Sequence, residues 1–473
     1  MPRNRSGHTG PTVYIYTEPE LDHSWLHGCK AFRELLSSSR AGNLAEVGIR
    51  RALASSVLRV RNPANASLFI VPIFEYASMK VNDSCRGADG NASSHRQRMA
   101  LAAAKLSASP WWQRYRGADH AFATSAYSYG GRGAGTANLR HRLGGLLGGL
   151  LRRGASGRYK PGPTATSVGR CVVGVPWHSV KLAAAGLQVP AGVSGGGAPL
   201  PWPRGADGVG GDGANGEVGG GGGPRRLLLH FAGSLDVVGP HAHVRCAVGP
   251  LAAAAVGVAD VAVRLTLHAN ASRWGNCAQR AMALLAAARN GAEGGRGGEG
   301  GGGSGGGESA PAVTATGEGR SPGESFVRQT LREMSEATFC LMPAGDNSAR
   351  SIMYTALALG CIPVVLSDPL VDWLLPYATH VPWTQLWVKL SAASFVRNPA
   401  SLLPLLRTIS ADDVRRKQAA IARHRADVLY DVPHSRAGTN FAIDAARCLS
   451  SCISYSSSYG CSHTGRASNA TSH

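Results

Sequence analysis

The chain has 473 residues and a formal net charge of +20 at pH 7, and 44% of its residues are hydrophobic. This length and composition predict two or three globular domains, which excludes a disordered or fibrous protein. The charge would suit a polyanionic partner, but the sequence lacks a basic strip interleaved with aromatic residues, so nucleic acid is not an expected partner.

The first part of the chain predicts an α/β domain over residues 12–190, after an N-terminal tail at 1–11. Residues 12–16 alternate in the manner of a β-strand, and residues 66–76 form an apolar run that predicts a second, buried strand. Between them, apolar residues recur with helical spacing over residues 29–61. Strands that alternate with helices are typical of α/β domains.

An aspartate–histidine pair follows an aromatic segment that begins at Pro110. Asp119 and His120 could serve as a general acid–base pair or as ligands of an acceptor. A hydrogen-bonded turn ahead of a strand is the alternative, and the residues themselves leave both interpretations open.

Two glycine-rich segments divide the rest of the chain. Residues 191–224 cannot pack a core and predict an interdomain linker, and residues 291–324 predict a disordered insertion. The second domain is therefore expected at 225–447, with a tail containing serine and cysteine at 448–473.

A strand–turn–helix–strand unit begins at residue 339. Residues 339–342 predict a strand, residues 344–347 a turn, the following residues a helix that ends at Gly360, and residues 361–366 a buried strand. Gly360 occupies the position at which a left-handed C-terminal cap is expected. A small-residue turn at a helix N-terminus exposes backbone N–H groups at the positive end of the helix dipole, and this is a common anion site.

Three elements of this region resemble the exostosin family of glycosyltransferases. They are Phe-Cys-Leu-x-Pro-x-Gly from Phe339, Gly-Cys-Ile-Pro-Val from Gly360, and Asp368 followed after six residues by Leu-Pro-Tyr. The opening strand and the aromatic segment resemble the same family, so the resemblance covers residues 12–430, apart from the glycine-rich segments. It implies an α/β fold of the GT-B type, with two Rossmann-like domains facing a central cleft.

The resemblance implies a nucleotide-sugar-dependent glycosyltransferase, a hexosyl- or pentosyltransferase, acting on a glycan or glycoprotein acceptor with inversion of the anomeric carbon. The basic charge suits an acidic acceptor. Asp119 and His120 are then the expected catalytic residues. No cofactor and no metal are expected, since basic residues and a helix N-terminus can carry the charge of the diphosphate. The residues expected to contact the donor are Gly345, Asn347, Ser348, Arg350, Arg245 and Asp368.

One departure from the family pattern leaves alternatives open. Many members carry Ser-x-Arg followed three positions later by an acidic residue, and ungapped alignment puts Ile352 and Thr355 at the arginine and acidic positions. Ser348 and Arg350 form this tripeptide two residues earlier, and two residues rotate a helix by about 200°. The alternative is a catalytically weak exostosin-like protein that acts as a glycan-binding or scaffolding partner. A polyanion-binding protein unrelated to sugar transfer is a third hypothesis.

Sequons and cysteines favour a glycosylated, lumenal protein with one or more disulfides, whose connectivity the sequence does not predict. The resemblance implies the lumen of the Golgi apparatus. No run of 18 apolar residues is present, so membrane attachment is expected only through a segment absent from this sequence. The sequons lie at Asn4, Asn65, Asn82, Asn91, Asn270 and Asn469.

Overall fold

Contacts within the chain divide the computed structural model into two units. Unit 1 consists of Met1–Ala184, Leu370–Val381 and Ala426–His473, and unit 2 consists of Ala185–Pro369 and Pro382–Arg425. The residues that the structure describes are 10–37, 44–85, 94–115, 117, 119–121, 165–168, 171–174, 225–235, 242–266, 277–294, 324–344, 351–366, 375–430, 432 and 434–454.

Unit 1 contains a parallel sheet with the strand order β1-β2-β3. Its strands are β1 (Val13–Ile15), β2 (Leu68–Ile70) and β3 (His120–Ala121). A separate antiparallel pair consists of β4 (Ala165–Val168) and β5 (Cys171–Gly174). The helices of this part of the chain are α1 (Lys30–Ser37), α2 (Ala45–Ala54), α3 (Glu75–Val81), α4 (His95–Ala108) and α5 (Pro110–Tyr115).

Strand β2 is shorter than the apolar run that predicts it. The strand ends at Ile70 because Pro72 has no backbone N–H to donate to a ladder. The remaining apolar residues lead into α3 instead. Glu46 stabilises the start of that helix, since its carboxylate accepts hydrogen bonds from the backbone N–H groups of Tyr76 and Ala77 at 3.3 and 2.8 Å.

Buried aromatic side chains hold unit 1 together. Tyr16, Phe69 and Trp112 belong to one apolar cluster. Phe32 and Phe74 belong to a second, in which their rings stack with centroids 6.1 Å apart. Burial of one such side chain stabilises the fold by roughly 1.5–3 kcal/mol.

Unit 2 contains a five-stranded parallel sheet with the strand order β10-β9-β8-β6-β7. Its strands are β6 (Leu227–Ser234), β7 (Val261–Thr266), β8 (Ala337–Pro343), β9 (Ile362–Leu366) and β10 (Val388–Leu390). Strand β9 is buried along its whole length, as its continuous apolar sequence predicts. A parallel sheet with helices in each unit confirms the predicted α/β class.

The helices of this part of the chain lie between the strands of unit 2 or follow its last strand. They are α6 (Ala242–Cys246), α7 (Val248–Ala254), α8 (Cys277–Gly294), α9 (Glu324–Glu336), α10 (Ser351–Ala358), α11 (Trp383–Leu386), α12 (Ala392–Arg397), α13 (Leu402–Arg407) and α14 (Ala411–Val428). The last helix, α15 (Ala437–Ser454), belongs to unit 1. No helix within the described ranges is long and apolar enough to cross a membrane.

The end of the chain groups with unit 1, whereas the predicted second domain extended through residue 447. Helix α15 packs closely against α2, and a Cβ atom added at Gly438 would lie 2.8 Å from the backbone carbonyl carbon of Ala52. Residues 370–381 also group with unit 1. Helix α15 continues to Ser454, so the predicted tail at 448–473 begins inside a helix.

The predicted glycine-rich linker at 191–224 lies outside the described residues. Of the predicted insertion at 291–324, the structure describes the two ends. Helix α8 continues to Gly294 and α9 begins at Glu324, so helical structure extends into both ends of the predicted insertion.

Three disulfides lie within the described residues. They join Cys29 to Cys85, Cys246 to Cys277, and Cys340 to Cys361, with Cα–Cα distances of 5.7, 5.4 and 5.9 Å. These distances are ordinary for disulfides. The first bridge lies in unit 1 and the other two lie in unit 2.

Candidate active site

Five of the six predicted donor-binding residues fall outside the described residues, and their role stays a prediction. The chain on either side of four of them is described. Strand β8 ends at Pro343, Ala344 is buried, and α10 begins at Ser351. The five residues are Gly345, Asn347, Ser348, Arg350 and Asp368.

A disulfide encloses the segment that carries four of these residues. Strand β8 pairs in parallel with β9, from Phe339 opposite Ile362 to Pro343 opposite Leu366. At the start of this ladder, Cys340 and Cys361 are fully buried and covalently joined. Residues 341–360 therefore form a closed loop that contains the predicted donor turn and α10.

Gly360 ends this loop in the left-handed conformation that the sequence predicts. Its φ angle is +69°, and the N–H of Cys361 donates to the carbonyl of Ala356 at 2.9 Å, as in a Schellman cap. A Cβ atom at this position would lie 2.8 Å from a guanidinium nitrogen of Arg225. The positive φ angle favours glycine here, and a side chain would in addition displace the guanidinium of Arg225.

Arg225 joins the end of α9 and the start of β8 to the C-terminal end of α10. Its guanidinium donates to the carbonyl oxygens of Ser335 at 2.9 Å, Ala337 at 2.8 Å and Leu359 at 3.0 Å. Burial lowers the pKa of Arg225 to about 10. The sequence did not predict a role for Arg225, because its partners are backbone carbonyl oxygens, which every residue type has.

Arg245, the sixth predicted donor residue, is described and is buried. Its Nε donates to the carbonyl oxygen of Ala344 at 3.0 Å, and one terminal nitrogen donates to the carbonyl oxygen of Ser234 at 2.7 Å. Ser234 ends β6 and Ala344 follows β8, so the guanidinium joins the carboxyl ends of two neighbouring strands. The carboxyl ends of parallel strands are the edge at which open α/β sheets bind ligands.

The predicted catalytic pair lies in unit 1 within a chain of hydrogen bonds. His120 Nδ1 lies 2.8 Å from Asp119 Oδ1, and His120 Nε2 lies 2.8 Å from the hydroxyl of Tyr16. Arg114 donates to the other carboxylate oxygen of Asp119 at 2.7 Å. The imidazole stacks on Phe69 with ring centroids 4.8 Å apart.

Burial is the largest single influence on the pKa values of these hydrogen-bonded residues. It lowers the pKa of His120 and raises the pKa of Tyr16 to about 12. Burial also disfavours ionised Asp119, but hydrogen bonds from His120 and Arg114 outweigh it and lower the pKa of that carboxyl. The His120 side chain is 0% exposed and both of its nitrogens contact protein groups. This geometry is that of a hydrogen-bonded turn, and the catalytic role of the pair stays a prediction.

A polar group at the carboxyl end of β1 was missed by sequence reasoning. Asp22 accepts from the backbone N–H of Ser24 at 3.0 Å and from Arg50 at 2.7 Å. His23 is buried, and burial, with a smaller effect of the charge of Arg98, lowers its pKa to about 3. The sequence could have indicated this group, because Asp22 and His23 form a second aspartate–histidine pair after the loop that follows β1.

No group of three or more histidine, cysteine, aspartate or glutamate side chains among the described residues could hold a metal ion. The independence from metal that the sequence suggests stays a prediction. Arg245 at the carboxyl end of β8 and Arg225 at its amino end both donate to backbone carbonyls.

Comparison with known proteins gives a family match. The Exostosin GT47 domain matches residues 7–144 and 307–404, which include β1 to β3 of unit 1 and β8 to β10 of unit 2. These two segments contain the residues on which the resemblance in the sequence depends, including Asp119, Cys340 and Gly360.

Individual relatives match over shorter stretches. A probable glucuronosyltransferase of Oryza sativa subsp. japonica is 33% identical over 90 residues, 19% of each chain. Exostosin-like 1 of Mus musculus is 38% identical over 86 residues, 18% of this chain and 11% of its own. A probable beta-1,4-xylosyltransferase of Arabidopsis thaliana is 31% identical over 90 residues, 19% of this chain and 20% of its own. The matched segments therefore span no more than about a fifth of the length of these relatives.

Solved structures resemble the chain only distantly. The N-terminal domain of Candida albicans trehalose-6-phosphate phosphatase has a TM-score of 0.30 and 8% identity, and covers 49% of this chain and 42% of its own. An E. coli trehalose-6-phosphate structure with bound UDP-2-fluoro glucose has a TM-score of 0.28 and 9% identity, with coverage of 49% and 44%. At TM-scores this low, the likeness identifies neither substrate nor mechanism.

Proposed function

The chain belongs to the exostosin GT47 family, and on that premise we propose that it is a glycosyltransferase that uses a nucleotide-sugar donor. The observation that carries the proposal is the GT47 match to both units, which includes the complete strand–turn–helix–strand segment from β8 to β9. Relatives named as glucuronosyl- and xylosyltransferases support a hexosyl or pentosyl donor.

The proposed donor site is the turn between β8 and α10. A nucleoside diphosphate carries a concentrated negative charge, and a turn at the start of a helix offers backbone N–H groups to it. The described surroundings support such a site, because a buried disulfide closes the segment, Arg245 holds the residue after β8, and Arg225 holds the far end of α10. Arg350 would supply the charge that contacts the phosphate oxygens.

The proposed reaction is a direct displacement with inversion. The acceptor hydroxyl oxygen forms a bond to the anomeric carbon of the donor. The bond from that carbon to the phosphate oxygen breaks, and its electron pair leaves with the nucleoside diphosphate. A base takes the hydroxyl proton. Neither a metal nor a cofactor takes part in this scheme.

The proposed location is the lumen of the Golgi apparatus. Three disulfides support an oxidising compartment, since such bonds are rare in the cytosol. The basic charge of +20 supports an acidic glycan or glycoprotein as the acceptor.

A panel of nucleotide sugars tests the proposal. The purified chain is heated with each nucleoside diphosphate and nucleotide sugar in turn, and a ligand that binds only the folded state raises the melting temperature. Transfer of label from the stabilising sugar nucleotide to glycan acceptors then tests catalysis. Binding without transfer would favour the glycan-binding or scaffolding alternative, and absence of both would overturn the proposed function.

A further inference from the structure

Aromatic rings gather around helix α5 on one face of the sheet of unit 1. Tyr14 of β1 lies opposite Phe69 of β2 in the parallel ladder, and their ring centroids are 5.7 Å apart. Trp111 of α5 stacks on Phe69, with ring centroids 5.9 Å apart and an interplanar angle of 22°. Tyr115 follows Trp111 by four residues and therefore lies on the same side of this helix.

Arg114 joins these rings. The central carbon of its guanidinium lies 4.7 Å from the ring centroid of Tyr115 and 5.4 Å from that of Trp111, distances at which a cation is attracted to an aromatic face. One terminal nitrogen of the same guanidinium donates to Asp119 at 2.7 Å. Because Asp119 holds Arg114, the Tyr115 ring packs on an ordered group before any ligand binds, and the entropy lost on binding is smaller.

Exposure distinguishes Tyr115 from the other aromatic residues of this helix. Tyr115 is 58% exposed, and among the large hydrophobic residues that the described chain exposes it is the aromatic one. Trp112 is only 2% exposed and belongs to the apolar cluster that holds unit 1 together. Packing within unit 1 therefore explains Trp112, whereas much of the Tyr115 ring stays in water. A ligand that covered this ring would gain the free energy of burying it.

Hydrogen-bonding groups without a partner surround the exposed ring. Within the part of the chain that the structure describes, Trp111 and Tyr115 make no hydrogen bond through their side chains, and Arg114 donates through one nitrogen only. An indole N–H, a phenol and the remaining guanidinium nitrogens are therefore available to a ligand. Aromatic faces combined with a few polar groups are the usual lining of ligand sites.

A sugar ring matches this combination of groups. The C–H groups on one face of a pyranose are apolar and carry a small positive charge, so they pack on the negative face of an aromatic ring. The hydroxyl groups at its edge accept hydrogen bonds from a guanidinium or an indole. The bases of a nucleic acid also stack on aromatic rings, but Asp119 neutralises the charge of Arg114. This pairing favours hydroxyl groups over phosphates as the partners of the guanidinium.

We propose that the aromatic patch formed by Trp111, Arg114 and Tyr115 binds a glycan. One sugar ring stacks on Tyr115, and its hydroxyl groups accept hydrogen bonds from Arg114 and Trp111. This inference rests on the proposed function, which it deepens, since the glycan held by the patch would be the acceptor. The patch binds the acceptor, so its loss should change KM for the acceptor and leave kcat unchanged.

Two variants of Tyr115 test the proposal in the full chain. An array of neutral and uronic-acid-containing oligosaccharides is probed first, and the oligosaccharide that wild type binds most tightly is then titrated by calorimetry. Tyr115→Ala should weaken its binding about tenfold, whereas Tyr115→Phe keeps the ring and should retain most of the affinity. Leu101→Ala removes another exposed hydrophobic side chain of unit 1, which is 41% exposed in α4, and should bind as wild type.

Stability and nucleotide binding give independent readouts. The melting temperature of Tyr115→Ala and its affinity for nucleoside diphosphates should equal those of wild type, because the ring is exposed and belongs to unit 1. Equal oligosaccharide affinities of wild type and Tyr115→Ala would overturn the proposed glycan site, as would a wild-type chain that binds no member of the array. Neither result would affect the proposed function if nucleotide sugars still bind and are consumed. Glycan binding that depends on Tyr115, in a chain that binds no nucleotide, would support the site and overturn the proposed sugar transfer.

Discussion

Arg245 donates a hydrogen bond from Nε to the carbonyl oxygen of Ala344 at 3.0 Å. This bond fastens the residue after β8 to the helix that follows β6, at the edge of the sheet where the predicted donor turn begins. A charged side chain therefore supports the backbone of the turn from the buried side. Contact with a diphosphate is a separate property, and the two roles predict different consequences of mutation.

Substitution of Arg245 by lysine distinguishes these roles. One ammonium nitrogen then replaces the two guanidinium nitrogens that donate to Ala344 and Ser234, so we expect a buried carbonyl oxygen to lose its partner. We expect Arg245→Lys to lower the free energy of unfolding by about 1–3 kcal/mol, measured by urea denaturation. Unchanged stability with weakened binding of nucleoside diphosphates would assign Arg245 to the donor instead.

Substitution of Arg350 tests the predicted donor turn. A guanidinium can donate to two phosphate oxygens at once. Arg350→Ala should weaken nucleoside diphosphate binding by about ten- to a hundredfold, equivalent to about 1.5–3 kcal/mol, with an unchanged melting temperature. Calorimetric titration measures the effect, and Arg397→Ala, at a surface arginine of α12, is the control. Equal affinities of wild type and Arg350→Ala would remove this residue from the site.

Acid should destabilise unit 2 through Glu333. Burial disfavours its carboxylate, but hydrogen bonds from His230 and Arg264 outweigh burial and lower the pKa of Glu333 to about 2. A carboxyl group with a lowered pKa binds fewer protons when folded than when unfolded. Its stabilising contribution is therefore complete above the ordinary glutamate pKa of about 4.3 and is lost as the pH falls toward 2.

The free energy of unfolding measured between pH 6 and pH 2 checks this expectation. Glu333→Gln should be less stable than wild type at pH 6, and the difference should shrink as the pH approaches 2. Glu336→Gln, on the same helix but more exposed, is the control. A constant difference across this range would contradict the assignment of the acid sensitivity to Glu333.

Removal of the Cys340–Cys361 bridge should loosen the donor turn. The bridge closes a segment with a sequence separation of 21 residues, and a cross-link of this length stabilises a fold by about 3 kcal/mol. Cys340→Ala combined with Cys361→Ala should lower both stability and nucleoside diphosphate affinity. The pair Cys29→Ala and Cys85→Ala, in unit 1, should lower stability alone. Equal affinity losses in the two double variants would show that the first bridge has no specific effect on the turn.

Glycans should be attached at Asn65 and Asn82 in material from the natural source. Both residues are exposed, and each begins an Asn-x-Ser sequon. Endoglycosidase treatment should lower the apparent mass, and Asn65→Gln and Asn82→Gln should each remove one glycan. Unmodified asparagines at every sequon would contradict a lumenal location.

The strands and caps of unit 2 were predictable because their signals are local. The predicted strand at 361–366 corresponds to β9 at Ile362–Leu366, and Gly360 adopts the predicted positive φ angle. A buried parallel strand is a continuous apolar run, and a left-handed cap calls for glycine. Neither feature depends on residues that are distant in the sequence.

The polar clusters were not predictable because their members meet only after folding. His380 Nε2 lies 3.0 Å from Asp444 Oδ1 across 64 residues of sequence, and Arg225 contacts the carbonyl of Leu359 across 134 residues. The grouping of residues 370–381 with unit 1 was not predictable for a similar reason. The local composition of a segment does not show to which unit it returns. By contrast, Asp119 and His120 were conspicuous as neighbours, yet the fold buries His120 completely.

The packing of α15 on α2 has a consequence for the order in which the protein is made. Residues 45–54 leave the ribosome early, whereas the helix that covers them begins at residue 437. Domains generally fold as units during synthesis, beginning from the N-terminus. Here unit 2 is synthesised almost completely before unit 1 receives its last helix. During synthesis, the surface of α2 that α15 covers therefore stays exposed until the end of the chain is made. A chain truncated before residue 437 should depend on chaperones.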